Sequence, residues 1–267
     1  MKPLLASFIA LAALAAGLQA QSKVKSVTSA DNAPAVNLGF DAKKVAAGLS
    51  FAVSGDVTTK YVFRGVERQH LSLQPAVLVR HTAGLYASAF ANLPWAHISE
   101  TEYDVNLGYS KSFGRLNLDG GAVAYFVSDI PGRDWSQEFY LGASYYFPCK
   151  IGVRYYAYYD TRVESLTHEL ALGYAIPLNP AWSNVPASIQ ISFYIGHSDA
   201  RDFSPDAAGG HIRQSNAYYG ASVSLPIRLT NKLSAEIGVR YGQTRNYFEQ
   251  GAQDANFWGF ASIGYDF

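Results

Sequence analysis

The sequence predicts an all-β chain, an antiparallel, up-and-down transmembrane β-barrel of about twelve strands with both termini periplasmic. Three observations predict it. Apolar and polar residues alternate at period two through most of residues 49–267. The connections between the alternating segments are short and long by turns. The closing stretch, Asn256 to Phe267, puts Phe257, Gly259, Ala261, Ile263, Tyr265 and Phe267 on one face, with Trp258, Phe260, Ser262, Gly264 and Asp266 on the other. A strand whose two faces meet different media has this period.

From the start of the chain, Met1-Lys2-Pro3 and the apolar run Leu4 to Ala16 are expected to form a secretory signal peptide over 1–20, with cleavage after Ala20 or, failing that, Gly17. The run is shorter than the roughly twenty apolar residues a membrane-spanning helix needs. Residues 21–48 do not alternate and are expected to be a periplasmic extension; 49–267 are expected to be the barrel. The strands expected are 49–63, 71–81, 84–93, 101–112, 115–127, 135–147, 149–160, 164–176, 186–198, 214–225, 231–246 and 255–267, with ten or fourteen also compatible. The clearest is 102–111, where Tyr103, Val105, Leu107 and Tyr109 oppose Glu102, Asp104, Asn106, Gly108 and Ser110.

Composition agrees. Charged residues are 16% of the chain, against an average of about 25%, and aromatic residues are 14%, yet mean hydropathy is only −0.03. Alternation keeps the average neutral while one face stays apolar. Twenty-one basic residues balance 21 acidic ones, and no basic stripe points to nucleic acid. The one cysteine, Cys149, excludes an internal disulfide and a multi-cysteine metal site. No cofactor is expected.

If the amino terminus is periplasmic, Tyr61, Tyr103, Phe139, Tyr159 and Phe257 fall toward an outer rim, and Tyr109, Phe147, Tyr174, Tyr265 and Phe267 toward an inner one. Aromatic rings favour the headgroup level of a bilayer. The opposite parity gives the expected pore-lining set: Asp56, Lys60, Arg80, Glu102, Asp104, Asp119, Glu138, Arg154, Glu169, Glu236 and Arg240, joined by Arg64 just past the first strand at the outer mouth. Its strand members are seven acids and four bases, which predicts a mild cation preference. Arg64 either gates the pore or anchors the first loop on an interior carboxylate. Tyr86, Phe90, Tyr125, Tyr140, Tyr146, Tyr156, Tyr158, Tyr194 and Tyr218 share the inward parity. So much ring volume in a barrel of about twelve strands predicts a narrow pore or an occluded one.

Enzymatic readings are weak. His70-Leu71-Ser72 and His97-Ile98-Ser99 have the spacing of a base and a nucleophile but fall in loops or at a strand end, so no catalytic residue is expected and a lipid hydrolase is the remote alternative. The acidic loop residues Asp199, Asp202 and Asp206 could hold Ca²⁺ but read first as a solvated loop, and His197 and His211 near them do not make a convincing metal set.

The stretch Ser54-Gly55-Asp56-Val57-Thr58-Thr59-Lys60-Tyr61-Val62-Phe63-Arg64-Gly65-Val66, with Gln74-Pro75-Ala76-Val77 and Gly84-Leu85-Tyr86-Ala87, resembles the start of the TorF-like putative porins, with Tyr-Val-Phe-Arg-Gly the most specific part. The resemblance implies an outer-membrane barrel of the porin type and brings no catalytic residues. Glu67-Arg68-Gln69 depart from the Ser or Gln usual there. Together these readings lead to one expectation: passive diffusion of small hydrophilic solutes across the outer membrane of a Gram-negative bacterium, with an occluded structural or adhesive barrel as the alternative. The expected partners are outer-membrane lipid, small solutes and the barrel-assembly machinery. The last of these would read the closing strand through Phe257, Ile263, Tyr265 and Phe267.

Overall fold

The structure is a computed structural model that describes residues 48–95, 101–128, 135–178, 186–200, 214–246 and 253–267. The expected signal peptide and nearly all of the expected extension lie outside these residues, as do His97-Ile98-Ser99, Asp202, Asp206 and His211.

Twelve antiparallel strands close a barrel: β1 (Leu49–Thr58), β4 (Ser72–His81), β5 (Leu85–Pro94), β6 (Glu102–Phe113), β7 (Leu116–Val127), β8 (Trp135–Tyr146), β9 (Ile151–Asp160), β10 (Ser165–Leu178), β11 (Ala187–Ala200), β12 (Gln214–Arg228), β13 (Leu233–Asn246) and β14 (Gln253–Asp266). Closure comes from pairing of the first and last wall strands, with Ala52 opposite Asp266 and Thr58 opposite Phe260. No wall strand is left as an open edge, which is the condition for a sheet to cross hydrocarbon.

Two short strands, β2 (Tyr61–Phe63) and β3 (Val66–Gln69), pair only with each other. This corrects the expected first strand, 49–63. The wall strand ends at Thr58, and the alternation that continues through Tyr61-Val62-Phe63 belongs to a separate hairpin. Arg64 and Gly65 form its two-residue turn, both with positive φ (50° and 78°). That backbone matches the twist of a tight hairpin.

The wall keeps its parity all the way round. On β10, Leu166, Leu170, Leu172, Tyr174 and Ile176 are exposed while Ser165, Thr167, Glu169, Ala171 and Ala175 are buried. Outward apolar side chains are bare, with Leu141 at 70%, Phe257 at 66% and Leu107 at 64% exposure. Polar interior residues, by contrast, are covered: Asn92, Asn106, Glu138 and Glu169 are buried. An apolar outside around a polar inside inverts a water-soluble sandwich and fits a barrel surrounded by lipid.

One end of the barrel carries the tight connections 82–84, 114–115, 147–150 and 229–232 and is called the turn end; the opposite, loop end carries the hairpin between β1 and β4.

Candidate functional site: the occupied lumen

The β2–β3 hairpin folds into the barrel. Tyr61 and Val62 are buried, and the Tyr61 hydroxyl donates to Glu102 on β6 at 2.7 Å. Tyr61 is therefore an interior residue, not the rim aromatic expected from parity; a hairpin leaving the wall does not inherit the wall's faces. Arg64 crosses to the far side. Its Nη2 donates to Glu138 Oε2 on β8 at 2.8 Å, and its guanidinium lies 5.0 Å from the Tyr158 ring centroid on β9 and 4.8 Å from that of Phe63. In the strand order, β9 stands diametrically opposite β1, from which the hairpin springs. Arg64 thus anchors the hairpin on an interior carboxylate, and it sits inside the barrel instead of at its mouth.

Three further contacts fix the hairpin. Lys60 Nζ reaches Glu67 Oε2 at 2.6 Å and Asn256 Oδ1 on β14 at 3.0 Å. Glu67 Oε1 lies 2.7 Å from His70 Nδ1. At the tip, a Cβ on Gly65 would stand 2.7 Å from the Gln243 carbonyl carbon and oxygen and 2.9 Å from Thr244 N on β13. Only glycine satisfies both the positive φ and this approach to backbone.

Five of the inward tyrosines, with Phe260, lie over the wall. On one side, the cross-strand partner of each of these six rings is a glycine: Tyr86 opposite Gly108, Tyr140 opposite Gly121, Tyr156 opposite Gly142, Tyr194 opposite Gly220, Tyr218 opposite Gly196 and Phe260 opposite Gly238. The ring folds over that glycine, where any Cβ would collide with it. Glycine leaves a gap in the wall and the neighbouring aromatic covers it. The ring volume behind the expectation of a narrow or occluded pore thus divides: these six rings thicken the wall, while Tyr125 and Tyr158 meet the hairpin at Phe63 and Arg64.

Their hydroxyls tie strands together. Asp119 accepts from Tyr86 (2.8 Å) and Tyr156 (2.7 Å), and Tyr140 donates to Asn106 at 3.0 Å. Glu138 accepts from Tyr125 (3.0 Å) as well as Arg64. Glu169 accepts from Tyr218 (3.2 Å) and Arg154 (3.3 Å). Buried carboxylates persist only when hydrogen-bonded in this way.

Of the expected lining residues, the structure therefore collects Glu102, Asp104, Asp119, Glu138, Arg154 and Glu169 on the β6–β10 side, in a packed assembly with Arg64. Lys60 belongs to the hairpin stem. Asp56, Arg80, Glu236 and Arg240 keep part of their surface exposed on the inward parity of β1, β4 and β13. Ser54, Ala76, Ser222 and Ser262 are also part-exposed beside them. The Arg240 guanidinium lies 4.0 Å over the Phe260 ring and that of Arg80 5.5 Å over Tyr86. This partly open wall runs from the turn end up to the hairpin, where Thr58, Ser72, Asn256 and Trp258 are again buried.

Phe257, Ile263 and Tyr265 of the closing strand are exposed on the outward face. Elsewhere, Ser72 is buried on β4, and His168 meets Tyr155 OH on the outer wall at 2.6 Å. Among the described residues no three His, Cys, Asp or Glu are grouped to hold a metal ion.

No family model and no curated protein matches the chain. Solved structures do. The KdgM porin superposes with a TM-score of 0.51 at 11% identity, covering 81% of this chain and 99% of that one. The NanC porin gives 0.48 at 13% identity, over 80% and 98%. At 11% identity the likeness to the KdgM porin is one of fold alone.

Proposed function

We propose that this chain is a porin-type channel of a Gram-negative outer membrane, passing small hydrophilic solutes and ions by diffusion along the part-exposed wall of β12–β14, β1 and β4. The carrying observation is the inverted barrel: bare apolar side chains outside, and inside a charged surface that stays part-exposed beside Asp56, Arg80, Glu236 and Arg240. The resemblance of Tyr61-Val62-Phe63-Arg64-Gly65 to the TorF-like putative porins supports the same reading. The hairpin bearing that motif is the constriction. No enzymatic step is proposed.

Refolded protein in planar bilayers is expected to give discrete conductance steps that grow with salt. Silence would sink the channel reading and favour an occluded structural barrel, a reading encouraged by the buried hairpin.

Selectivity is expected to be slight. Counting strand residues gives an excess of acids, but Asp119, Glu138 and Glu169 are engaged by Tyr or Arg donors, and on the part-exposed wall Asp56 and Glu236 are matched in number by Arg80 and Arg240. Reversal potentials in a salt gradient should lie near zero for the native channel and shift toward cation preference in Arg240→Gln. A strongly cation-selective native channel would contradict this assignment of the path.

A further inference from the structure

The turn end differs in charge from the loop end. On the outward parity of β6, Lys111 Nζ lies 5.7 Å over the exposed Phe113 ring, and Arg115 follows in the turn. At the β8–β9 turn, Tyr145 and Phe147 pack edge to face at 4.7 Å, and exposed Lys150 closes the turn by donating its backbone N–H to the Phe147 carbonyl at 3.0 Å. At the β12–β13 turn, Lys232 Nζ lies 5.8 Å over Tyr265, which packs on Phe267 at 5.0 Å. Each station sets a cation at or beside an aromatic pair or ring on the rim. The acidic side chains nearest this end on the strands, Asp119, Glu236 and Asp266, have the inward parity. At the loop end, described charges are mixed in sign: Glu67, Arg68, Asp160, Arg162, Glu164 and Asp199, with Arg245 on β13.

We infer that the turn-end rim is a binding surface for anionic phospholipid headgroups, with Lys111, Lys150 and Lys232 as its contacts. The rings hold the rim at headgroup depth, since an aromatic body with a polar edge favours that level. Long lysine stems then carry their amines outward to the phosphates. Basic residues beside a membrane are attracted to anionic lipid, an attraction confined to about a Debye length of the surface. A mixed loop end has no such preference. The turn end is thereby assigned to the phospholipid leaflet of the membrane. This rests on the barrel's spanning a bilayer and not on its conducting, so a silent channel would leave it standing.

The test uses refolded protein in phosphatidylcholine vesicles containing trace spin-labelled phosphatidylglycerol or phosphatidylcholine. The fraction of immobilised label gives the relative association constant. Phosphatidylglycerol is expected to be favoured about twofold or more at low ionic strength, and the ratio should fall to near one in about 1 M salt, where screening is nearly complete. It should fall likewise in Lys111→Gln/Lys150→Gln/Lys232→Gln, and stay unchanged in Arg68→Gln/Arg245→Gln; heat-dependent gel mobility checks that each variant is folded. A ratio near one for the native protein overturns the inference, as does equal loss in the loop-end variant. Displacement of phosphatidylglycerol by inorganic phosphate, beyond that by sodium chloride at matched ionic strength, would assign the site to free anion and also overturn it.

Discussion

Arg64→Ala is expected to free the hairpin and raise single-channel conductance, while lowering the stability of the barrel. The Arg64–Glu138 pair lies inside the barrel against the β8 wall, with side-chain exposures of 14% and 3%. Removing one partner from a buried pair strands the other charge and costs about 3–5 kcal/mol. Here Tyr125 still donates to the abandoned Glu138, which should hold the cost toward the lower figure. Glu138→Gln keeps the shape and loses the charge, so it should weaken the latch less. The double variant Arg64→Ala/Glu138→Gln should be less destabilised than the sum of the singles, since no unpaired charge is left behind. Urea unfolding followed by gel mobility measures the cycle, and planar-bilayer recording of the same proteins measures the opening. Unchanged conductance in Arg64→Ala, with the barrel intact, would show that the hairpin is not the constriction.

The wall was legible in the sequence because its two faces meet different media along every strand. In β6, Tyr103, Val105, Leu107 and Tyr109 alternate with Glu102, Asp104, Asn106 and Gly108, and the register sets these against β5 and β7 without a slip. The hairpin was not legible, for a physical reason. Tyr61-Val62-Phe63 prolongs the alternation of β1, so nothing in its period marks the point where the chain leaves the wall. The available signal was the turn. Arg64-Gly65 lacks the Asn or Asp that usually announces a positive-φ pair, and the Arg is there because its side chain is needed across the barrel.

The lining residues divide along the same line. Parity alone sends Asp119, Glu138 and Glu169 inward, and their burial follows from it. Parity cannot say that tyrosines from neighbouring strands would occupy these carboxylates, because the partnerships depend on register between strands distant in sequence. Tyr218 and Glu169, for instance, meet through the intervening β11. The glycines opposite the rings are hidden in the same way: Gly196 and Tyr218 are neighbours only once β11 and β12 are paired.

That register makes Gly196→Val the sharpest test of how the wall is built. The Tyr218 ring occupies the space over Gly196, where a side chain would collide with its ring carbons and hydroxyl. Valine forces the ring off the wall, an overpacking that costs about 1–3 kcal/mol. Displacement also takes the Tyr218 hydroxyl from Glu169, leaving a buried acceptor with less than its full set, at about 1–3 kcal/mol more. Gly196→Val is therefore expected to unfold at clearly lower urea concentration than the native barrel. A smaller ring partner should relieve it, so Gly196→Val/Tyr218→Ala ought to recover the part of the loss due to crowding while keeping the part due to Glu169. Gly55→Val is the matched control, since Gly55 lies on the outward parity of β1 and a Cβ there meets nothing within 4 Å. On a lipid-facing strand position the branched side chain fits the pleat, and stability should hold or rise. Equal damage from the two substitutions would mean that strand glycines matter here for backbone freedom, and that the rings are not seated on them.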